Sequence, residues 1–174
     1  GTIADFHAVV PEAEIVVVDN RSSDGTAKVA ERTLKEKNCK GRVLRELRPG
    51  KGNAIRKAFR EAEADVFVMA DADSTYKASD LPALLAPVLN GQADLVVGDR
   101  HANSIYKKQN LRRLHNFGNN LVRKLINSLF QVQLRDIMSG YRVMSYRFVK
   151  SFPILSEGFE LETEMTLHAV DKRL

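Results

Sequence analysis

Three short apolar runs in this chain each end on an aspartate. Glu14 to Val18 leads into Asp19, Asp65 to Ala70 into Asp71, and Asp94 to Gly98 into Asp99. Each run has the length and composition of a buried strand. Helical stretches separate them. Ser22-Ser23-Asp24-Gly25 is turn and N-cap chemistry ahead of a helix over Thr26 to Lys37, with Val29, Ala30 and Leu34 on one side. Arg42 to Leu47 reads as a further strand, broken by Pro49-Gly50-Lys51-Gly52, and Asn53 to Glu63 as a helix. Ser79-Asp80 is expected to cap a helix from about Leu81 to Asn90. This alternation predicts a mostly parallel α/β sheet with helices on both faces. Ligands of such sheets bind beyond the carboxyl ends of the strands, where the three aspartates gather.

The second half reads differently. Leu111 to Phe130 is a long basic helical pattern broken near Gly118, Asp136 to Tyr141 a loop, Arg142 to Ser145 a strand and Leu161 to Lys172 a helix. The whole chain of 174 residues carries +5, but residues 100–150 hold eleven Lys or Arg against the single acid Asp136, or +10. The remainder has 16 basic and 21 acidic residues, or −5. A basic half of this kind points to an anionic partner. The chain reads as one domain, with no repeat or linker. Lone Cys39 excludes a disulfide scaffold. No apolar run approaches the roughly 18 residues of a membrane span, and no signal-peptide pattern opens the chain. A reducing, cytoplasmic setting is the expectation.

Asp71-Ala72-Asp73 is the sharpest chemical feature. Two carboxylates two residues apart after an apolar strand can reach one hard divalent cation, Mg²⁺ or Mn²⁺, that keeps waters and bridges to phosphate oxygens. The alternative is a solvated acidic turn. Gly50-Lys51-Gly52-Asn53 before a helix is either a phosphate cradle or a plain helix start; it lacks P-loop spacing. Asp19-Asn20 offers hydrogen bonds to a base or ribose, or is strand-end turn chemistry. Asp136 is either a general base or the partner of Arg135 or Arg142, and the pairing is favoured by its basic flanks. Arg112, Arg113, Arg123 and Lys124 have helical spacing and form either an anion-binding face or a solvated one. His101 and His115 lack metal-ligand spacing. Tyr141, Phe152 and Phe159 are expected in the core, and at most one or two of Glu160, Glu162 and Glu164 point inward.

The chain resembles family 2 glycosyltransferases with the GT-A fold, especially the dolichol- or polyprenol-phosphate sugar transferase branch. The matching segments are residues 16–26, 50–54, 70–76, 94–100, 117–119, 136–142 and 158–164, in the family's order. The resemblance implies one GT-A catalytic domain over 1–174, with a nucleotide-sugar half of about 1–99 and an acceptor half of about 100–174. It implies inverting, metal-dependent transfer of a hexose from a UDP- or GDP-sugar to a polyprenyl phosphate at the cytoplasmic face of a membrane. Carried over by position, Asp19 binds base or ribose and Asp24 supports its loop. Lys51, Gly52 and Asn53 lie along the nucleotide. Asp71 and Asp73 are the DxD pair, with Asp73 ahead of Asp71 as the direct ligand of Mg²⁺ or Mn²⁺. Arg100, Arg112, Arg113, Arg123, Lys124, Ser139 and Arg142 fall where this branch grips the acceptor phosphate, and Asp136 near the position of a base. A phosphate acceptor is already a nucleophile and needs positioning more than a base, which makes Asp136 an organiser. For a hydroxyl acceptor it becomes the base.

Two departures stand out. Asn20 replaces a second Asp of many relatives, and the family's opening strand and C-terminal continuation are missing, which implies an incomplete sheet. The rival readings are the same fold acting on a soluble acceptor, a sugar-phosphate nucleotidyltransferase, and a nucleic-acid-binding module. The last is disfavoured, because few aromatics interleave the basic stretch.

Overall fold

The computed structural model describes residues 1–99, 124–132 and 134–174. In chain order the elements are helix α1 (Thr2–Val9), strand β1 (Ile15–Asp19), α2 (Thr26–Glu36), β2 (Gly41–Arg45), α3 (Lys51–Glu61) and β3 (Val66–Met69). A 3₁₀ turn (Ala78–Asp80), α4 (Leu81–Leu89), β4 (Leu95–Val97), β5 (Arg142–Ser145), α5 (Tyr146–Ser151) and α6 (Leu161–Lys172) follow. Residues 124–130 are helical as well.

The α/β alternation is borne out, with one addition. β1 and β2 are parallel, Ile15 opposite Gly41 and Asp19 opposite Arg45. β3 and β4 do not pair with each other. β5 lies between them and is antiparallel to both, placing Arg142 opposite Met69 on one side and Val97 on the other. β3 and β4 therefore run the same way, and their carboxyl ends meet the amino end of β5. The loop ahead of β5 is thereby delivered to the rim that carries Asp71 and Asp99.

Successive side chains of a strand face opposite sides of the sheet, and β5 shows why helices cover both. Met144 packs with Phe67, Met69, Phe148, Phe152, Leu161 and Met165. Val143 packs with Leu81, Val88 and Tyr141, and with Phe6 and Val9 of α1. Both residues are fully buried.

Three local expectations are corrected. α2 buries Ala27, Ala30 and Leu34, while Val29 is 50% exposed. The i, i+3, i+7 stripe of the helix is the one that faces the core, and Val29 lies off it. Asp80 holds the N-cap position of α4 as expected but makes no side-chain cap bond, because the chain enters that helix through the 3₁₀ turn. Tyr141 and Phe152 are buried as expected, but Phe159 is 80% exposed. No helix among the described residues is long and apolar enough to cross a membrane.

Candidate active site

Asp19 and Asp71 stand half-buried at the carboxyl ends of β1 and β3, strands of two separate sheets, and the sharp turns after both strands place a non-glycine residue in the left-handed region (Arg21 φ 62°, Ser74 φ 62°). Asp19 Oδ1 accepts weakly from Ser22 N at 3.3 Å. Asp24 accepts from Thr26 N at 2.9 Å and from the Thr26 hydroxyl. The hydroxyl bond first, then the amide bond, holds its carboxyl below the ordinary range. Asp24 thus shapes the entry of α2.

Asn20 serves the scaffold. Its amide donates to Arg48 O at 2.7 Å and to Glu46 O at 3.3 Å, and its side-chain oxygen accepts from Gly50 N at 2.9 Å. One side chain ties the β1 turn to the loop that leads into α3. Within that loop Arg48 pairs with Glu46, and their hydrogen bond pushes the Glu46 carboxyl down to about 2.

The Gly-Lys-Gly-Asn segment packs against a loop from the far end of the chain. Gly52 N donates to Glu157 O at 2.9 Å. A Cβ at Gly52 would lie 2.0 Å from Ser156 O, and one at Gly50, where φ is +111°, 2.2 Å from Glu157 O. Asn53 is 2% exposed; it donates to Pro49 O and accepts from Arg56. The loop itself is pinned by Glu164, which accepts from Leu155 N at 2.9 Å and Ser156 N at 3.0 Å.

Lys51 projects from the start of α3 into the centre of the rim. Its Nζ lies 2.7 Å from Asp71 Oδ1 and 2.6 Å from Glu162 Oε1. Burial draws the ammonium's pKa down, but its hydrogen bonds to Asp71 and Glu162 outweigh it and raise the pKa above its ordinary value. Glu162 is the inward-facing acid of the Glu160, Glu162, Glu164 set, and alternation on the first turn of α6 was the only sequence sign of it. Gly140 closes the inner wall: a Cβ there would meet Asp71 Oδ2 at 2.5 Å and Lys51 Nζ at 3.1 Å. Its N–H donates to Tyr76 Oη at 2.8 Å, a contact the sequence did not reveal.

Asp73 is exposed. Its Oδ1 accepts from Thr75 N at 3.0 Å. The Thr75 hydroxyl first, then that amide and the Lys51 charge, hold its carboxyl below the ordinary range. Asp71 Oδ1 is thus held by Lys51 and Asp73 Oδ1 by Thr75 N. Two part-open carboxylates on one turn fit a hard divalent cation. Among the described residues no group of three or more His, Cys, Asp or Glu is arranged to hold a metal ion by itself.

Asp136 and Ser139, on the loop before β5, and Arg142, the first residue of β5, are all buried. Asp136 is buried and accepts from Met138 N at 3.0 Å. Arg142 is 0% exposed and donates to Ser139 O, Ile137 O and Thr166 Oγ1 at 2.9, 2.8 and 3.1 Å. It holds the loop from within. Lys124 is exposed at the start of residues 124–130. Arg100, Arg112, Arg113 and Arg123, with His101 and His115, lie outside the described residues.

The profile of glycosyl transferase family 2 matches residues 4–152. The chain belongs to this family. It is 32% identical over 161 residues to glycosyltransferase AglJ of Haloferax volcanii, covering 92% of this chain and 50% of that one. It is 30% identical over 173 residues to undecaprenyl-phosphate mannosyltransferase of Micrococcus luteus, covering 95% and 69%. The chain therefore spans about half to two-thirds of these relatives. Its fold matches glucosyl-3-phosphoglycerate synthase of Mycobacterium tuberculosis, solved with Mn²⁺, UDP-glucose and phosphoglyceric acid. That match has a TM-score of 0.72 at 21% identity and covers 99% of this chain and 61% of the other. The GT-A expectation is met.

Proposed function

We propose that this family 2 chain carries the catalytic core for moving a hexose from a UDP- or GDP-sugar to a polyprenyl phosphate at the cytoplasmic face of a membrane. The observation that carries the reading is the part-open Asp71/Asp73 pair beside Lys51, at the carboxyl end of β3. Asp71 and Asp73 would hold Mg²⁺ or Mn²⁺, which when bound stabilises the charge that develops on the nucleoside diphosphate leaving group. Asp19 and the Asp24-shaped turn would receive the nucleoside.

The acceptor side supports a phosphate. Buried Asp136 has one oxygen occupied by Met138 N, and Glu162 is paired with Lys51. Neither is poised to take a proton from a hydroxyl, whereas an anionic phosphate needs none removed. Asp136, Ser139 and Arg142 then act as organisers of the loop. The grip on the phosphate falls to Arg100, Arg112, Arg113, Arg123 and Lys124, and the same +10 stretch suits an anionic lipid surface. The name of the Micrococcus relative, an undecaprenyl-phosphate enzyme, points the same way.

The test is sugar transfer from a panel of UDP- and GDP-sugars to a polyprenyl phosphate with Mg²⁺ or Mn²⁺. Transfer is expected in the parent and lost in Asp73→Ala; undiminished transfer by Asp73→Ala refutes the metal role. A soluble phosphorylated acceptor is the second reading, favoured by the phosphoglyceric acid bound in the solved structural neighbour. Transfer to such an acceptor in detergent-free buffer, with none to the lipid, would select it.

A further inference from the structure

Asp71 faces two ways. Its Oδ1 holds the Lys51 ammonium at 2.7 Å on the inner side, yet its side chain is 37% exposed toward the rim. Glu162, the other partner of that ammonium, is 5% exposed. A buried carboxylate needs its counter-ion permanently, because an unpaired charge there is strongly destabilising. A part-exposed one can change partners. Lys51 thus has a fixed partner in Glu162 and an exchangeable one in Asp71. Gly140 lies against both groups on the inner side, where a Cβ would meet Asp71 Oδ2 at 2.5 Å and Lys51 Nζ at 3.1 Å, and exchange takes place at the exposed side of Asp71.

We propose that Lys51 is a positioning residue that occupies Asp71 before the divalent cation does. Its ammonium is an internal stand-in that competes for the Asp71 carboxylate and, when the cation arrives, stays with Glu162. A cation reaching Asp71 must either displace the ammonium from Oδ1 or sit on the same carboxylate beside it. Either weakens its binding, and while no cation is bound the single ammonium offsets part of the charge of Asp71 and Glu162. This rests on the proposal that Asp71 and Asp73 hold the metal.

The test is Mn²⁺ affinity, read from the electron paramagnetic resonance of free Mn²⁺ with and without UDP. The Lys51→Met/Glu162→Leu double variant removes the ammonium together with its buried counter-ion. It is expected to bind Mn²⁺ about tenfold more tightly, the scale on which one neighbouring charge alters a carboxylate's hold on a proton. In Glu162→Gln the ammonium rests on Asp71 alone, and Mn²⁺ binding is expected to weaken. This single change also serves if the double variant lacks a cooperative unfolding transition. Affinity at or below the parent's in a folded double variant, or unchanged in Glu162→Gln, overturns the inference and leaves the metal reading standing. If the parent and both variants bind no Mn²⁺ even with UDP, the metal reading fails and takes this inference with it.

Discussion

Gly52→Ala separates packing from ligand binding at the start of α3. The added Cβ would lie 2.0 Å from Ser156 O, 2.9 Å from Ser156 C and 3.0 Å from Glu157 Cα. All three are backbone atoms, so no rotamer change relieves the clash. The loop cannot yield cheaply, because Glu164 holds Leu155 N and Ser156 N and Gly52 N itself holds Glu157 O. Overpacking of this kind costs about 1–3 kcal/mol, and the strained or broken Gly52–Glu157 hydrogen bond adds about 1 kcal/mol. The expected loss is about 2–4 kcal/mol, or roughly 4–16 °C in Tm at about 2–4 °C per kcal/mol for a chain of this size. Urea unfolding measures the first and calorimetry the second. Gly25→Ala is the control: nothing lies within 4 Å of its Cβ, and a change within about 0.5 kcal/mol is expected. If Gly52→Ala is as stable as the parent and only nucleotide binding falls, the packing argument is refuted and the phosphate-cradle reading of this segment is restored.

Asn20→Asp keeps the acceptor for Gly50 N but removes both donations to Glu46 O and Arg48 O. A loss of about 1–3 kcal/mol in urea unfolding is expected; a neutral result would show that the loop is held by other contacts. Glu46 has a folded pKa of about 2 against its ordinary 4.5, set by Arg48. Its contribution is therefore present above about pH 4.5 and lost as pH falls toward 2. The parent's Tm should fall more steeply than that of Glu46→Gln over this window, and parallel curves would contradict the assignment.

Much of the fold was legible because strands and helices here are set by consecutive residues. Val16 to Val18 and Val66 to Met69 are apolar runs, and they became β1 and β3. α6 spans Leu161–Lys172, as its spacing predicted. The acids at the strand ends were equally plain, since each follows its run directly. Val29 and Phe159 were misplaced because periodicity names a stripe without saying which neighbour covers it. Glu162 was left among three alternating acids because only the docking of α6 chooses between them.

What local pattern could establish was a pair of acids following a strand, and an order of elements that matches family 2. Local apolarity and turn chemistry act between residues close in sequence. The insertion of β5 between β3 and β4, the diversion of Asn20 to the 46–50 loop, the burial of Arg142 and the sharing of Lys51 between Asp71 and Glu162 belong to the tertiary structure alone. Each depends on segments distant in sequence closing on one another. A charged or amide side chain takes its partner from whichever backbone or carboxylate that closure brings within about 3 Å.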